Sequence, residues 1–165
     1  MNLLKTLSLA AGLSLLVCAC QPGESSWILK SPSENLVVNV RLDELQSIIY
    51  EVVSGDPDKT VLIEPSPLGI EREDVSFSSG LSLVGADKII SIKESYTMTS
   101  GKQSNYSNEA NELKLTFKTE SDDQVQLIFR AFDNGVAFRY HFPEEDSKTH
   151  IIVGESSGFN IPKGS

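Results

Sequence analysis

From about residue 27 onward, the hydrophobic positions recur with a period of two. Leu36, Val38, Val40 and Leu42 alternate with Val37, Asn39 and Arg41, and Ile48, Tyr50 and Val52 repeat the alternation. Successive side chains of a strand point to opposite faces, so this pattern predicts half-buried strands. Asp56-Pro57-Asp58 then supplies a turn. Residues 60–64 predict another strand, interrupted by Pro65-Ser66-Pro67 and resumed over 68–71. Residues 89–96 and 113–118 predict two more. No long window after the first 26 residues carries a 3.6-residue repeat, and strands recur about every 8–12 residues. The expected fold class is all-β, an antiparallel β-sandwich or barrel.

The clearest local feature surrounds Asn134-Gly135, a dipeptide that accepts positive φ at both positions and so predicts a type I′ hairpin turn. With Asp133 opposite Val136, Ala131 faces Phe138, Phe129 faces Tyr140 and Leu127 faces Phe142, all on one side of the ribbon. Burying each large apolar side chain contributes roughly 1.5–3 kcal/mol, and a one-residue slip would expose the whole set. The opposite side carries Ile128, Arg130, Phe132, Ala137, Arg139 and His141, with Arg130 and Arg139 directly opposed. Like charges in that position repel. Each arginine is therefore expected to have a carboxylate or main-chain carbonyl in reach; the alternative is a cationic spot at a ligand or domain interface.

Composition narrows the function. The chain has 165 residues, a net charge of −9 and a pI near 4.7. It carries no basic stripe of the kind that releases counterions from phosphates, which argues against nucleic acid as a partner. The length excludes a complete (β/α)₈ barrel, which needs roughly 250 residues. The sequence has no HExxH, GxSxG, EF-hand or Gly-rich phosphate motif. The two histidines, His141 and His150, would need carboxylates to complete a zinc site. Two acidic clusters, Glu71-Arg72-Glu73-Asp74 and Glu144-Glu145-Asp146, read as solvated turns, although such clusters can also bind a cation.

Five segments in order say more than any one of them. They are Ser31-Pro32-Ser33-Glu34-Asn35-Leu36, then Ile63-Glu64-Pro65-Ser66-Pro67-Leu68-Gly69-Ile70, then Asn108-Glu109-Ala110-Asn111-Glu112-Leu113. Arg130-Ala131-Phe132-Asp133-Asn134-Gly135-Val136-Ala137-Phe138-Arg139-Tyr140 and Gly158-Phe159-Asn160-Ile161-Pro162 complete the series. The series resembles the N-terminal domain of glycoside hydrolase family 97, bacterial α-glucosidases and α-galactosidases, over about residues 27–162. The resemblance implies a galactose-mutarotase-like supersandwich, here incomplete, followed in the family by a catalytic barrel that carries the acid, base or nucleophile carboxylates. It implies calcium for the intact enzyme but no cofactor, metal ligand or catalytic residue in this chain. The expected role is packing against the barrel and contact with an α-glucoside or α-galactoside. Candidate sugar or interface contacts are Asn108, Asn111, Glu112, Arg130 and Arg139. The other readings are a free-standing glycan-binding surface lipoprotein and a structural envelope β-domain.

The N-terminus resembles a bacterial export signal. Lys5 precedes an apolar run over residues 7–17, too short for a transmembrane helix, which needs about 20 residues. The run ends in Val17-Cys18-Ala19-Cys20, which resembles a lipobox. Ala19 supplies the small residue before Cys20, whereas Val17 before Cys18 does not. Residues 1–19 are thus expected to be a signal peptide, Cys20 the lipid attachment site, residues 20–26 a polar tether and residues 27–165 the β-domain. A chain so processed keeps one cysteine and can form no intramolecular disulfide. Several acyl chains on Cys20 suffice for stable membrane anchoring. Gln21 in place of an Asp points to the outer membrane or periplasm rather than the inner membrane. Mass spectrometry of the mature N-terminus should find a lipidated Cys20; an unmodified terminus on either side of it would contradict the assignment.

Overall fold

The computed structural model describes residues 26–99 and 105–164. Cys20, the signal segment and nearly all of the tether lie outside the described residues. The alternating segments become a four-stranded antiparallel sheet in chain order: β1 (Ser26–Lys30), β2 (Leu36–Leu42), β3 (Ile48–Ser54) and β4 (Val61–Leu68). The tight crossing between the β1–β2 turn and the end of β3 requires Gly55. A Cβ there would lie 1.7 Å from the Glu34 carbonyl oxygen.

A second antiparallel sheet contains β6 (Ser82–Ala86), β7 (Ile90–Thr97), β8 (Asn105–Lys118), β9 (Gln124–Phe132) and β10 (Gly135–His141). β8 is long enough to serve two partners on one edge: its first half pairs with β7 and its last residues with β6, while β9 runs along its other edge. The strand expected over 113–118 is therefore only the core-facing part of β8. Its polar first half forms a ribbon with β7, and exposure on both sides removes the alternation that would have revealed it. A short pair, β5 (Ile70–Arg72) with β11 (Ile152–Glu155), completes the described strands.

The two large sheets meet face to face. Leu29, Val38, Val40, Ile48, Tyr50 and Val52 from one pack with Leu113, Leu115, Phe117, Leu127, Phe129 and Ala131 from the other in a single buried cluster. Apart from Leu29 on β1, which the alternation does not reach, these residues lie on the faces that the alternation and the hairpin parity set inward. Trp27 closes one side by meeting Phe117 edge-on, with ring centroids 5.7 Å apart.

Two local expectations are corrected. β4 does not break at Pro65-Ser66-Pro67 but runs through it to Leu68. β4 is an edge strand, where a missing N–H is tolerated. Its outer side is covered by the chain near Gly158: the Gly158 N–H donates to the Pro67 carbonyl at 2.8 Å, and Asn160 Nδ2 donates to the Pro65 carbonyl at 2.7 Å. The second correction concerns the β9–β10 register. Phe129 pairs with Phe138, Leu127 with Tyr140 and Val136 with Ala131, so Asp133 and Asn134 form the turn. Neither Asn134 nor Gly135 has positive φ. The cause lies outside the hairpin. Asp133 Oδ1 accepts the Ser33 N–H at 2.9 Å, and its carbonyl accepts Asn35 Nδ2 at 3.0 Å, which seats Asp133 in the turn. The new pairing differs from the expected one by an even step, so the same face stays inward.

The acidic clusters are not merely solvated turns. One acid from each, Asp74 and Glu144, meets on Arg72, whose side chain is only 2% exposed, while Glu71, Glu73 and Glu145 stay exposed as expected. Arg72 Nε and Nη2 donate to the two Asp74 carboxylate oxygens at 2.9 and 2.6 Å, and Nη1 donates to Glu144 Oε1. The guanidinium carbon lies 5.8 Å from the Phe77 ring centre and 5.2 Å from that of Phe142. The cation these acids hold is therefore the chain's own. Arg72 keeps the Asp74 carboxyl far below the usual carboxylate range, chiefly through the side-chain hydrogen bond. Because that carboxyl is depressed only in the folded state, the unfolded chain takes up the proton first as pH falls below about 4. Stability should therefore drop on acidification, with this contribution present above that pH. Urea denaturation should show Arg72→Ala costing roughly 2–4 kcal/mol at neutral pH, through lost packing and an uncompensated hollow. Arg72→Met, which keeps an unbranched apolar side chain in the same space, should lose less and show a weaker acid dependence. An acid dependence unchanged in Arg72→Met would contradict the assignment.

Candidate functional site

Strand alternation places Glu112, Ile128, Arg130, Phe132, Ala137 and Arg139 on the outer face of the second sheet. The sequence predicts Arg130 opposed to Arg139, but the observed register sets Arg130 against Ala137 and Arg139 against Ile128. The direct repulsion is thereby relieved. Arg130 finds carboxylates on neighbouring β8 and, one strand farther, on β7: Nε donates to Glu112 Oε2 at 2.7 Å and Nη1 to Glu94 Oε1 at 2.9 Å. These bonds raise the Arg130 pKa, Glu112 contributing most. The neutralisation expected for Arg130 is thus present. Arg139 differs: it is exposed, and among the described residues no hydrogen bond or ion pair reaches it. The expectation of a partner for both arginines holds for one.

Ile128, Arg130, Phe132, Ala137, Phe138 and Arg139 line a shallow depression of about 240 Å³. Ile128 is buried there although it faces away from the main core. Asn108 shares this outer face farther along β8, opposite Glu94, with its amide exposed. Asn111 does not join the group. It lies on the other side of the strand, and its Nδ2 donates to the Lys30 carbonyl at 2.9 Å, tying β8 to β1. Of the five sequence-based candidates, the fold gathers Asn108, Glu112, Arg130 and Arg139 on one face and gives Asn111 an inter-sheet contact.

Sequence reasoning did not single out Glu94. Only the β7–β8 register, which sets Glu94 against Asn108, shows that it reaches Arg130. It also missed a larger groove of about 670 Å³ on the outer face of the first sheet. There Asn39 Nδ2 donates to Glu51 Oε1 at 2.9 Å between the aliphatic side chains of Ile28, Val37 and Val53. The alternation marks Asn39 only as an outward position and carries no sign of its partner on β3.

Two pairs of acids that the fold brings together are engaged by arginines. Asp74 and Glu144 meet on Arg72, and Glu94 and Glu112 meet on Arg130. Glycoside hydrolysis requires two carboxyl groups flanking a scissile bond about 5–10 Å apart across a cleft; neither pair lies in one. Among the described residues no three His, Cys, Asp or Glu side chains are grouped to hold a metal ion, so no calcium ligand is assigned.

Comparison with known proteins identifies the architecture. The family model described as "Glycosyl-hydrolase 97 N-terminal" matches residues 29–165. A protein of Streptomyces bingchenggensis described as a probable retaining alpha-galactosidase is 31% identical over 160 residues, 94% of this chain and 24% of its own length. A solved beta-arabinopyranosidase superposes with a TM-score of 0.74 at 31% identity, covering 82% of this chain and 21% of that one. A Glycoside Hydrolase Family 97 enzyme from Pseudoalteromonas sp. strain K8, in complex with panose, shares the fold with a TM-score of 0.70 at 23% identity. That match covers 83% of this chain and 20% of the enzyme. The chain thus spans about a quarter of the length of the curated relative it matches. The ordered motifs, the two packed antiparallel sheets and the match over residues 29–165 together show that the chain belongs to the N-terminal domain family of glycoside hydrolase family 97.

Proposed function

We propose that this chain acts as the non-catalytic β-domain of an α-glycosidase, packing beside a catalytic barrel and contributing carbohydrate contacts to it. The observation that carries the reading is the family match over residues 29–165, joined to relatives whose descriptions name sugar-cleaving enzymes. The commitment of two carboxylate pairs to Arg72 and Arg130 supports the non-catalytic part, because those acids serve as counter-ions rather than as an acid and base across a sugar. The outer face bearing Asn108, Arg130 and Arg139 suits polar contact with hydroxyl groups, and the depression beside Arg139 is its best-formed concavity. The same proposal sets the chain at the cell envelope, on the outer-membrane or periplasmic side, held by lipid on Cys20. An α-glucoside or α-galactoside is the expected substrate of the whole enzyme, with calcium bound by residues other than those described here.

The test is hydrolysis by the purified chain. Incubation with nitrophenyl α-glucoside and nitrophenyl α-galactoside, with and without calcium, should release no nitrophenol above the uncatalysed rate. Turnover that requires calcium and survives repurification would overturn the reading and place a catalytic site among residues described here as structural.

A further inference from the structure

Carbohydrate recognition commonly needs an aromatic ring whose face is open to the apolar C–H side of a sugar. The chain offers one Trp and four Tyr for that role. The fold removes three of them. Trp27 lies edge-on against Phe117, Tyr50 is 1% exposed in the core, and the Tyr140 hydroxyl is paired with Ser157 Oγ at 2.8 Å. The two that remain, Tyr96 and Tyr106, are brought together. They are cross-strand partners near the far end of the β7–β8 ribbon, stacked with ring centroids 5.3 Å apart and planes inclined by 12°. Tyr96 is 48% exposed, and Tyr106 beneath it is half-buried.

The surroundings favour a neutral polyhydroxyl ligand. By strand alternation, the next pair on the same face is Glu94 with Asn108. Among the described residues no hydrogen bond engages the Asn108 amide, which leaves two donors and an acceptor facing solvent. The charges nearby are matched in pairs: Glu94 bonds Arg130 on this face, and Lys93 bonds Glu109 at 3.0 Å on the other. Among the described residues, the charges nearest the rings are thus paired with one another and not free to select an ion. Mutual stacking also fixes the rings before a ligand arrives, which lowers the ordering cost of binding.

We infer that the Tyr96–Tyr106 stack, with the Asn108 amide beside it, is a binding platform for a pyranose unit of a neutral oligosaccharide. The inference rests on the proposed role of the chain in a sugar-processing enzyme and adds a site away from the depression beside Arg139. A lone stacking platform with a few hydrogen bonds binds weakly, with Kd on the order of 1 mM.

Amide chemical-shift mapping by NMR tests it, with the full chain titrated separately with maltotriose and with raffinose. At least one sugar should shift the amides of β7 and the first half of β8. The double variant Tyr96→Ala/Tyr106→Ala should weaken binding about tenfold or more. Tyr96→Phe/Tyr106→Phe keeps both ring faces and should bind within about threefold of the parent. This variant also answers the objection that the alanine pair merely unfolds the ribbon. Shifts from neither sugar, shifts centred on the Asn39–Glu51 groove, or binding that survives in the alanine variant would each overturn the inference. Any of these would leave the non-catalytic reading standing, because the hydrolysis assay alone decides that.

Discussion

Tyr50 is the point on which three separate parts of the chain converge. It stands on the inner face of β3, with ring centres 5.9 Å from Phe129 on β9, 5.6 Å from Phe138 on β10 and 6.3 Å from Phe159 near the C-terminal end. Its hydroxyl donates to the Gly158 carbonyl at 3.0 Å. One residue therefore couples the two sheets and holds down the segment that covers the proline-bearing edge of β4. Burial pushes its phenol pKa up to about 12, so the group remains a neutral donor across the physiological range. A phenylalanine here would keep the ring contacts but leave the Gly158 carbonyl without this donor, at a cost of about 1 kcal/mol.

The remaining architecture is shaped by where a strongly acidic chain sets its arginines. Arg72 and Arg130 each gather two carboxylates, yet the two clusters differ in kind. The Arg72 side chain is nearly inaccessible and lies against two phenylalanine rings, so its acids complete a buried structural unit. The Arg130 side chain is 30% exposed on an open face, where each ion pair contributes about 0–1 kcal/mol. The first cluster fastens the β5 region to the chain after β10. The second ties β7 and β8 to β9 and steadies the base of the ribbon that presents Tyr96 and Tyr106. Structural support and a candidate sugar surface thus share one sheet, on elements held by charge as well as by packing.

Much of the fold was legible in the chain itself. Alternation from Leu36 to Val52 and from Leu127 to Ala131 marks the inward residues, because a strand side chain has only two directions and water excludes the apolar one. The ordered motifs carry the family resemblance by themselves. β1, β6 and β11 left weaker traces, being short, and the first half of β8 left none, because a ribbon wet on both sides has no reason to alternate. The candidate surface was only partly legible: the family motifs contain Arg130 and Glu112, but Glu94 and the tyrosine pair depend on which residues of β7 and β8 sit opposite one another.

The β9–β10 hairpin marks the division most clearly. Sequence alone determined that Leu127, Phe129 and Ala131 turn inward and Arg130 and Arg139 outward, since parity along a strand decides the face. It did not determine the pairing, because registers that differ by an even step bury the same face. Tertiary structure made that choice when the backbone of Ser33 and the side chain of Asn35, some 100 residues earlier, bonded to Asp133 and drew it into the turn. Periodicity acts through local geometry and is carried in every short window of sequence. A hydrogen bond between distant segments has no local signature and exists only once the sheets have met.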